Sequence, residues 1–111
     1  MPQTNLVYDS AKPILSIEIH NGKWKITMDN KWLKWLSIFH SKVINGFEGY
    51  NKIFGIKCGK FSIVKGLSYN EFKYKDYDVV DCVRMDNENL MVGKFYYKKK
   101  FRIYFIMERK L

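Results

Sequence analysis

Few side chains in this sequence have the types and surroundings that chemistry needs. Asp81, in Val79-Val80-Asp81-Cys82-Val83, is a carboxylate inside an apolar alternation and shares a strand face with Val79, Val83 and Met85. Turned inward, it needs a cation or a hydrogen-bond donor beside it, and Arg84 and Glu108 are the neighbours that adjacent hairpin strands would supply. Such a carboxylate is either half of a structural ion pair or a group that orients a ligand or moves a proton. His20 and His40 stand alone, one in a turn and one on the flank of a helix-like segment. Cys58 and Cys82 form no CxxC and have no histidine nearby, so they read as reduced thiols, with no metal site and no cysteine nucleophile. A Gly-rich phosphate loop, a GxSxG elbow and an HExxH pair are all missing. No cofactor is implied, no catalytic residue can be named, and the chain reads as a non-enzyme.

A second chemistry-bearing pattern lies near the C-terminus. Phe95, Tyr96, Tyr97, Phe101, Tyr104 and Phe105 interleave with Lys94, Lys98, Lys99, Lys100 and Arg102. Aromatic faces among cations are what single-stranded nucleic acid needs for base stacking and phosphate attraction. A barrel hairpin with a lysine-rich tip accounts for the same residues.

The elements that must position these groups follow from periodicity. Residues 1–12 read as a loose lead-in with a short strand at Leu6–Tyr8. Leu15, Ile17 and Ile19 share one face of a strand, Asn21-Gly22 signals a hairpin, and Trp24, Ile26 and Met28 alternate with polar neighbours in the returning strand. Apolar residues at 32, 35, 36, 39 and 43 recur at the helical period, so one α-helix is expected over about 30–44, stopped by Asn45-Gly46. Beyond Phe47 the period is two. Strands are expected at about 52–57, 60–65, 71–75, 79–85, 90–97 and 101–109, with turns at Cys58-Gly59, Gly66–Asn70, Asp76–Asp78, Asp86–Asn89 and Lys98–Lys100. The last strands are apolar on both faces and must be covered on both. The expected fold is mainly β: an antiparallel up-and-down barrel or strongly curved sheet of about 7–8 strands with one helix, in a single domain spanning residues 1–111.

The 111 residues are 47% hydrophobic and 17% aromatic, which excludes a disordered chain, and no apolar run reaches the length of a membrane span. The opening residues MPQTNLVYDSAKP lack the basic start and apolar core of a signal peptide, so a cytoplasmic location is expected. A net charge of +9 favours polyanion partners at long range. It also arises as a solvated surface, since the lysines are spread from Lys12 to Lys110.

Gly22-Lys23-Trp24-Lys25-Ile26 resembles the G-x-W opening of lipocalins and the GKWK start of cytosolic fatty-acid-binding proteins. That resemblance implies a tryptophan closing one barrel end with a basic residue of the last strand, here Arg109, packed across it. The run Val79-Val80-Asp81, Arg84, Asp86, Leu90, Gly93 and Tyr104-Phe105-Ile106-Met107-Glu108-Arg109 is similar to the closing half of proteins that pair a GXWXG domain with a domain of unknown function. Ile26 stands where the second glycine of that motif would be. The similarity implies a lipocalin-like barrel and carries no catalytic residues.

Together these readings lead to a small barrel that binds a hydrophobic or amphipathic, and by its basic residues anionic, small molecule. The expected binding residues are Trp24, Ile26, Phe72, Asp81, Val83, Arg84, Phe95, Ile103 and Phe105. An interior filled by its own aromatics would leave no such pocket. The alternative is a basic nucleic-acid- or protein-binding accessory module of the kind mobile elements carry, working through Lys94, Lys98, Lys99, Lys100 and Arg102. Edge pairing into a homodimer is expected if the sheet fails to close.

Overall fold

The computed structural model describes residues 4–12, 14 and 17–110. Eight strands run β1 (Gly22–Met28), β2 (His40–Asn45), β3 (Glu48–Ile53), β4 (Ile56–Val64), β5 (Asn70–Tyr74), β6 (Val79–Asn87), β7 (Leu90–Tyr97) and β8 (Lys100–Arg109). Each pairs antiparallel with the next, and β1 also pairs with β8 from Trp24↔Arg109 to Met28↔Phe105. The sheet is therefore a closed up-and-down barrel of mainly β class, an architecture that fits a lipocalin-like barrel. Closure satisfies every strand edge, so the edge-pairing route to a homodimer has no free edge to use.

Alternation sets the core. Trp24, Ile26, Ile44, Phe61, Ile63, Phe72, Val83, Met91, Phe105 and Met107 point inward and pack with Ile14 into one apolar cluster. Phe61 and Phe72 stack with ring centroids 4.8 Å apart. An eight-stranded barrel is just wide enough for side chains of this size to fill it. Glycine makes one close approach possible. A Cβ on Gly93 would lie 2.3 Å from Cζ of Phe105, so the ring lies across the glycine on the neighbouring strand.

The first third differs from its sequence reading. Of the expected strand containing Leu15, Ile17 and Ile19, the described part, Ile17–His20, is a 3₁₀ turn, while Leu15 and Ser16 lie outside the described residues. The turn is held because its carbonyls have better partners than a strand would give them. His20 O accepts from Trp24 Nε1 at 2.7 Å and Ile19 O from Arg109 at 2.7 Å. Gly22 opens β1 with φ +118°, and Asn21 Oδ1 accepts from Gly46 N, so Asn21-Gly22 is an entry to β1 rather than a hairpin.

The helix expected at 30–44 is likewise absent. Asn30 starts a tight turn through its side chain and carbonyl, Lys34–Ile38 is a 3₁₀ turn, and β2 begins at His40. Lysines 31 and 34 sit where a helix N-terminus favours acids. From His40 the inward alternation His40, Lys42, Ile44 suits the strand that must link β1 to β3. Asn45-Gly46 is then the β2–β3 turn. The one α-helix among the described residues, α1 (Thr4–Ser10), lies instead in the stretch read as a loose lead-in with a strand. Tyr8 and Ala11 pack with Val92 and Ile106 on the outer wall. Beyond Phe47, β3 begins earlier than expected because a bulge between Gly49 and Asn51 breaks its alternation. The turn lies at Phe54-Gly55, and Cys58-Gly59 is inside β4. β5 to β8 lie where expected to within two residues, with β7 matching at both ends.

Candidate functional site

Asp81 points into the barrel, but its partner is Lys42, a residue that the helical reading had left on a flank. Lys42 Nζ lies 3.2 Å from Asp81 Oδ2, with the side chains 3% and 1% exposed. Lys42 Nζ donates to Asn51 Oδ1 (2.8 Å) and to Tyr74 OH (2.6 Å). Tyr74 OH also accepts from Asn51 Nδ2 (2.8 Å) and donates to Asp81 Oδ2 (2.9 Å). His40 Nε2 completes the network at 3.0 Å from Asn51 Oδ1. The ammonium lies 5.1 Å from the Phe61 ring centroid and 5.7 Å from that of Phe105. Burial pushes the Asp81 carboxyl above and the Lys42 ammonium below its ordinary range, while their mutual attraction pulls each back. Burial, with Asp81 second, also raises the Tyr74 phenol well above its usual value. These groups join β2, β3, β5 and β6 across the barrel axis. They carry the functional groups of acid–base chemistry, yet the core encloses the cation and the carboxylate.

The opposite end is closed by Trp24 and Arg109. The Arg109 guanidinium lies 4.3 Å from the Trp24 ring centroid and donates to the carbonyls of Ile19, Asn21 and Glu88. His20 sits beneath, accepting at Nε2 from Asn70 Nδ2 at 3.0 Å. Burial first, and the Arg109 charge second, lower its imidazole to about 4.

Of the residues read as lining an interior pocket, Trp24, Ile26, Phe72, Val83 and Phe105 are each fully buried and pack against one another as core. Phe95 and Ile103 face each other across β7 and β8 and are half-buried. Arg84 is the clear departure. It follows Val83 in β6 and therefore emerges on the outer wall, away from Asp81.

There it helps form a concavity of about 530 Å³ between α1, the 66–69 loop and β5–β7. Arg84, Lys94 and Lys99 line it with Tyr8, Tyr69, Val80, Cys82 and Tyr96, and the carboxylates Asp9, Glu71 and Asp78 belong to the same lining. Arg84 donates to the Tyr8 carbonyl at 3.1 Å, and its buried Nε has no hydrogen-bond partner among the described residues. Lys94 Nζ lies 4.8 Å from the Tyr8 ring and 5.8 Å from that of Tyr104. Neither cation forms an ion pair with a carboxylate among the described residues. Burial pushes the Cys82 thiol up to about 11, so it is protonated and inert at neutral pH. A second concavity of about 350 Å³ lies over the β3 bulge, also on the outer wall.

Of the cations read as a nucleic-acid surface, Lys94 and Lys99 line this groove. Lys98 and Arg102 lie over Tyr97 at the β7–β8 tip, and Lys100 is exposed beside them. The sequence reading missed Lys42, Tyr74, Asn51 and His40 as partners of Asp81, although the two-residue alternation of His40, Lys42 and Ile44 carried the signal. It also missed Tyr8, because a seven-residue helix leaves almost no periodic trace.

No family model and no curated protein matches the chain. A solved structure, described as the crystal structure of a protein from Thermomonospora curvata, matches over 96% of this chain and 85% of that one, with TM-score 0.70 and 16% identity. At that identity the likeness extends to the fold alone.

Proposed function

We propose that this protein is a small-molecule binding barrel whose ligand, an amphipathic anion with an apolar or aromatic body, occupies the outer-wall groove between α1 and β5–β7. One observation carries the reading. Arg84 and Lys94 line a concavity of about 530 Å³, and neither forms an ion pair with a carboxylate among the described residues. A carboxylate, sulfonate or phosphate would pair with these two cations, and the tyrosine faces would cover the ligand's body. The role is binding rather than catalysis: Cys82 is held as a thiol, and Lys42 and Asp81 are enclosed by the core. Kinship with GXWXG-domain proteins, read from Gly22–Trp24 and Val79–Arg109, belongs to the same proposal.

Anilinonaphthalene sulfonate combines the required anion and aromatic body. Its fluorescence should rise saturably, with one site per chain, and Arg84→Ala should weaken binding by at least ~tenfold, the loss expected for one charge-assisted hydrogen bond. Binding that is unchanged in Arg84→Ala and Lys94→Ala would place the probe elsewhere and remove the groove from the account.

The nucleic-acid reading keeps one supporting feature. Lys99 at the groove's rim and Lys98 beside it both have positive φ, presenting their ammonium groups at the hairpin tip. A gel shift that weakens steeply with salt, and that Lys98→Glu/Lys99→Glu abolishes, would favour it over the small ligand.

A further inference from the structure

The barrel end formed by residues 29–39 and the β3–β4 turn carries side chains that neither the core nor the groove uses. Trp32 is 75% exposed, Ile38 74%, Ile56 68%, Trp35 58% and Phe54 54%. Trp35, Phe39 and Phe54 form a connected surface among them, for Phe39 stacks on Phe54 at 4.6 Å and Trp35 approaches Phe54 at 6.4 Å. Single exposed apolar residues are ordinary; a contiguous set of this size marks an interaction surface.

We propose that this end docks the protein onto an anionic lipid surface, with Trp35, Phe54 and Ile38 entering the interfacial region. Phe54 and Gly55 form a two-residue turn in which both φ values are positive, +52° and +77°. Such turns favour Asn or Gly at the first position, because a bulky L-residue there is strained. A phenylalanine held in that conformation at a hairpin tip sacrifices stability to present its ring outward. Exposed rings at a hairpin tip suit a deformable apolar medium. Tryptophan is also the side chain that settles best at the headgroup level.

Charge identifies the lipid. Lys31 lies 5.6 Å from the Trp32 ring, and Lys34 is on the same segment. Lys52 and Lys57 are direct cross-strand partners in β3 and β4. Like charges facing each other across a strand pair are unfavourable, and an anionic surface removes that repulsion. Residues 29–39 and 51–57 thus carry four lysines against the single carboxylate Asp29; of the other turns at this end, β5–β6 adds Asp76 and Asp78 and β7–β8 adds Lys98, Lys99 and Lys100, so the end stays basic. Basic residues beside inserted aromatics give adsorption to anionic headgroups.

Sedimentation with phosphatidylglycerol-containing vesicles, compared with pure phosphatidylcholine vesicles, tests the proposal. The protein should pellet with the anionic vesicles, weaken as salt rises, and show a blue shift of the exposed tryptophans while buried Trp24 stays constant. Phe54→Asn, which suits the turn and so preserves the fold, combined with Trp35→Ser should lower partitioning by at least ~tenfold. Lys52→Glu/Lys57→Glu should remove the preference for anionic lipid. Arg84→Ala, on the distant wall, should leave partitioning unchanged. The proposal fails if the protein stays in the supernatant with anionic vesicles. It fails equally if the free protein sediments as a dimer that Phe54→Asn dissociates, since a second copy would then cover the patch.

Discussion

Lys42 and Asp81 show how far one residue could be read and where that reading stopped. The alternation Val79–Val83 indicated a buried carboxylate, and Asp81 is buried. Its partner lay 39 positions upstream, in a segment whose tryptophans gave a helical period, so no local pattern could join the two. Breaking such a pair strands a charge in the core, and Asp81→Ala should cost about 3–5 kcal/mol. Replacing both members, Lys42→Met/Asp81→Leu, should cost less than the single change in urea titrations, because no isolated ammonium remains. Acid sensitivity belongs to the same scale. Burial holds both His20 and His40 down to about 4, against 6.5 when unfolded. For His40, the Asn51 hydrogen bond opposes that burial and the Lys42 charge adds to it. The unfolded chain therefore binds more protons between those values. Stability from the histidines is present above pH 6.5 and is lost as pH falls toward 4, by about 3 kcal/mol each if the full shift applies. The raised carboxyl of Asp81 works in the opposite sense, gaining its proton first in the folded state. Urea midpoints that fall from pH 7 to 4.5, with a shallower fall in His20→Gln, would bear this out; flat midpoints in the wild-type protein would refute it.

Among the elements, β1 and the C-terminal strands were legible, whereas the 3₁₀ turn before β1 and the segment from Asn30 through β2 were not. β5 to β8 follow alternation and turn chemistry, and those local signals agree with the barrel. In Ile17–His20 and from Asn30 to Asn45 local and global preferences conflict. The sequence 32–39 has a helical period, but Lys31 and Lys34 lie where a helix N-terminus favours acids, and closure of the sheet demands a strand from His40 onward. The 3₁₀ turn Ile17–His20 is set by tertiary partners, Trp24 and Arg109, that a local pattern does not contain. Gly93 was read as part of a family-like run, but its structural reason is the Phe105 ring lying across it. Adding a methyl group there forces the ring or the strand to shift, so Gly93→Ala should destabilise by about 1–3 kcal/mol. Thermal denaturation would register this as a lowered midpoint, and an unchanged midpoint would mean that the ring can move aside freely.

For the whole molecule, the sequence pointed to a barrel and to a basic, aromatic binding surface, and placed the ligand inside. Aromatic and aliphatic side chains pack the interior, and two concavities, of about 530 and 350 Å³, lie outside the sheet. Strand alternation could not reveal this. It sorts residues into two faces without saying whether the inner one leaves space, and the groove's third side is a helix with little sequence signal. The proposed ligand site is therefore on the outer wall of β5–β7, under α1. Amide chemical-shift mapping during titration with anilinonaphthalene sulfonate tests it most directly. Saturable shifts at Tyr8, Cys82, Arg84, Lys94 and Tyr96, with the amides of Trp24, Phe72 and Phe105 unmoved, are the predicted result. Saturable shifts centred on those three core residues would contradict it and return the ligand to the barrel interior.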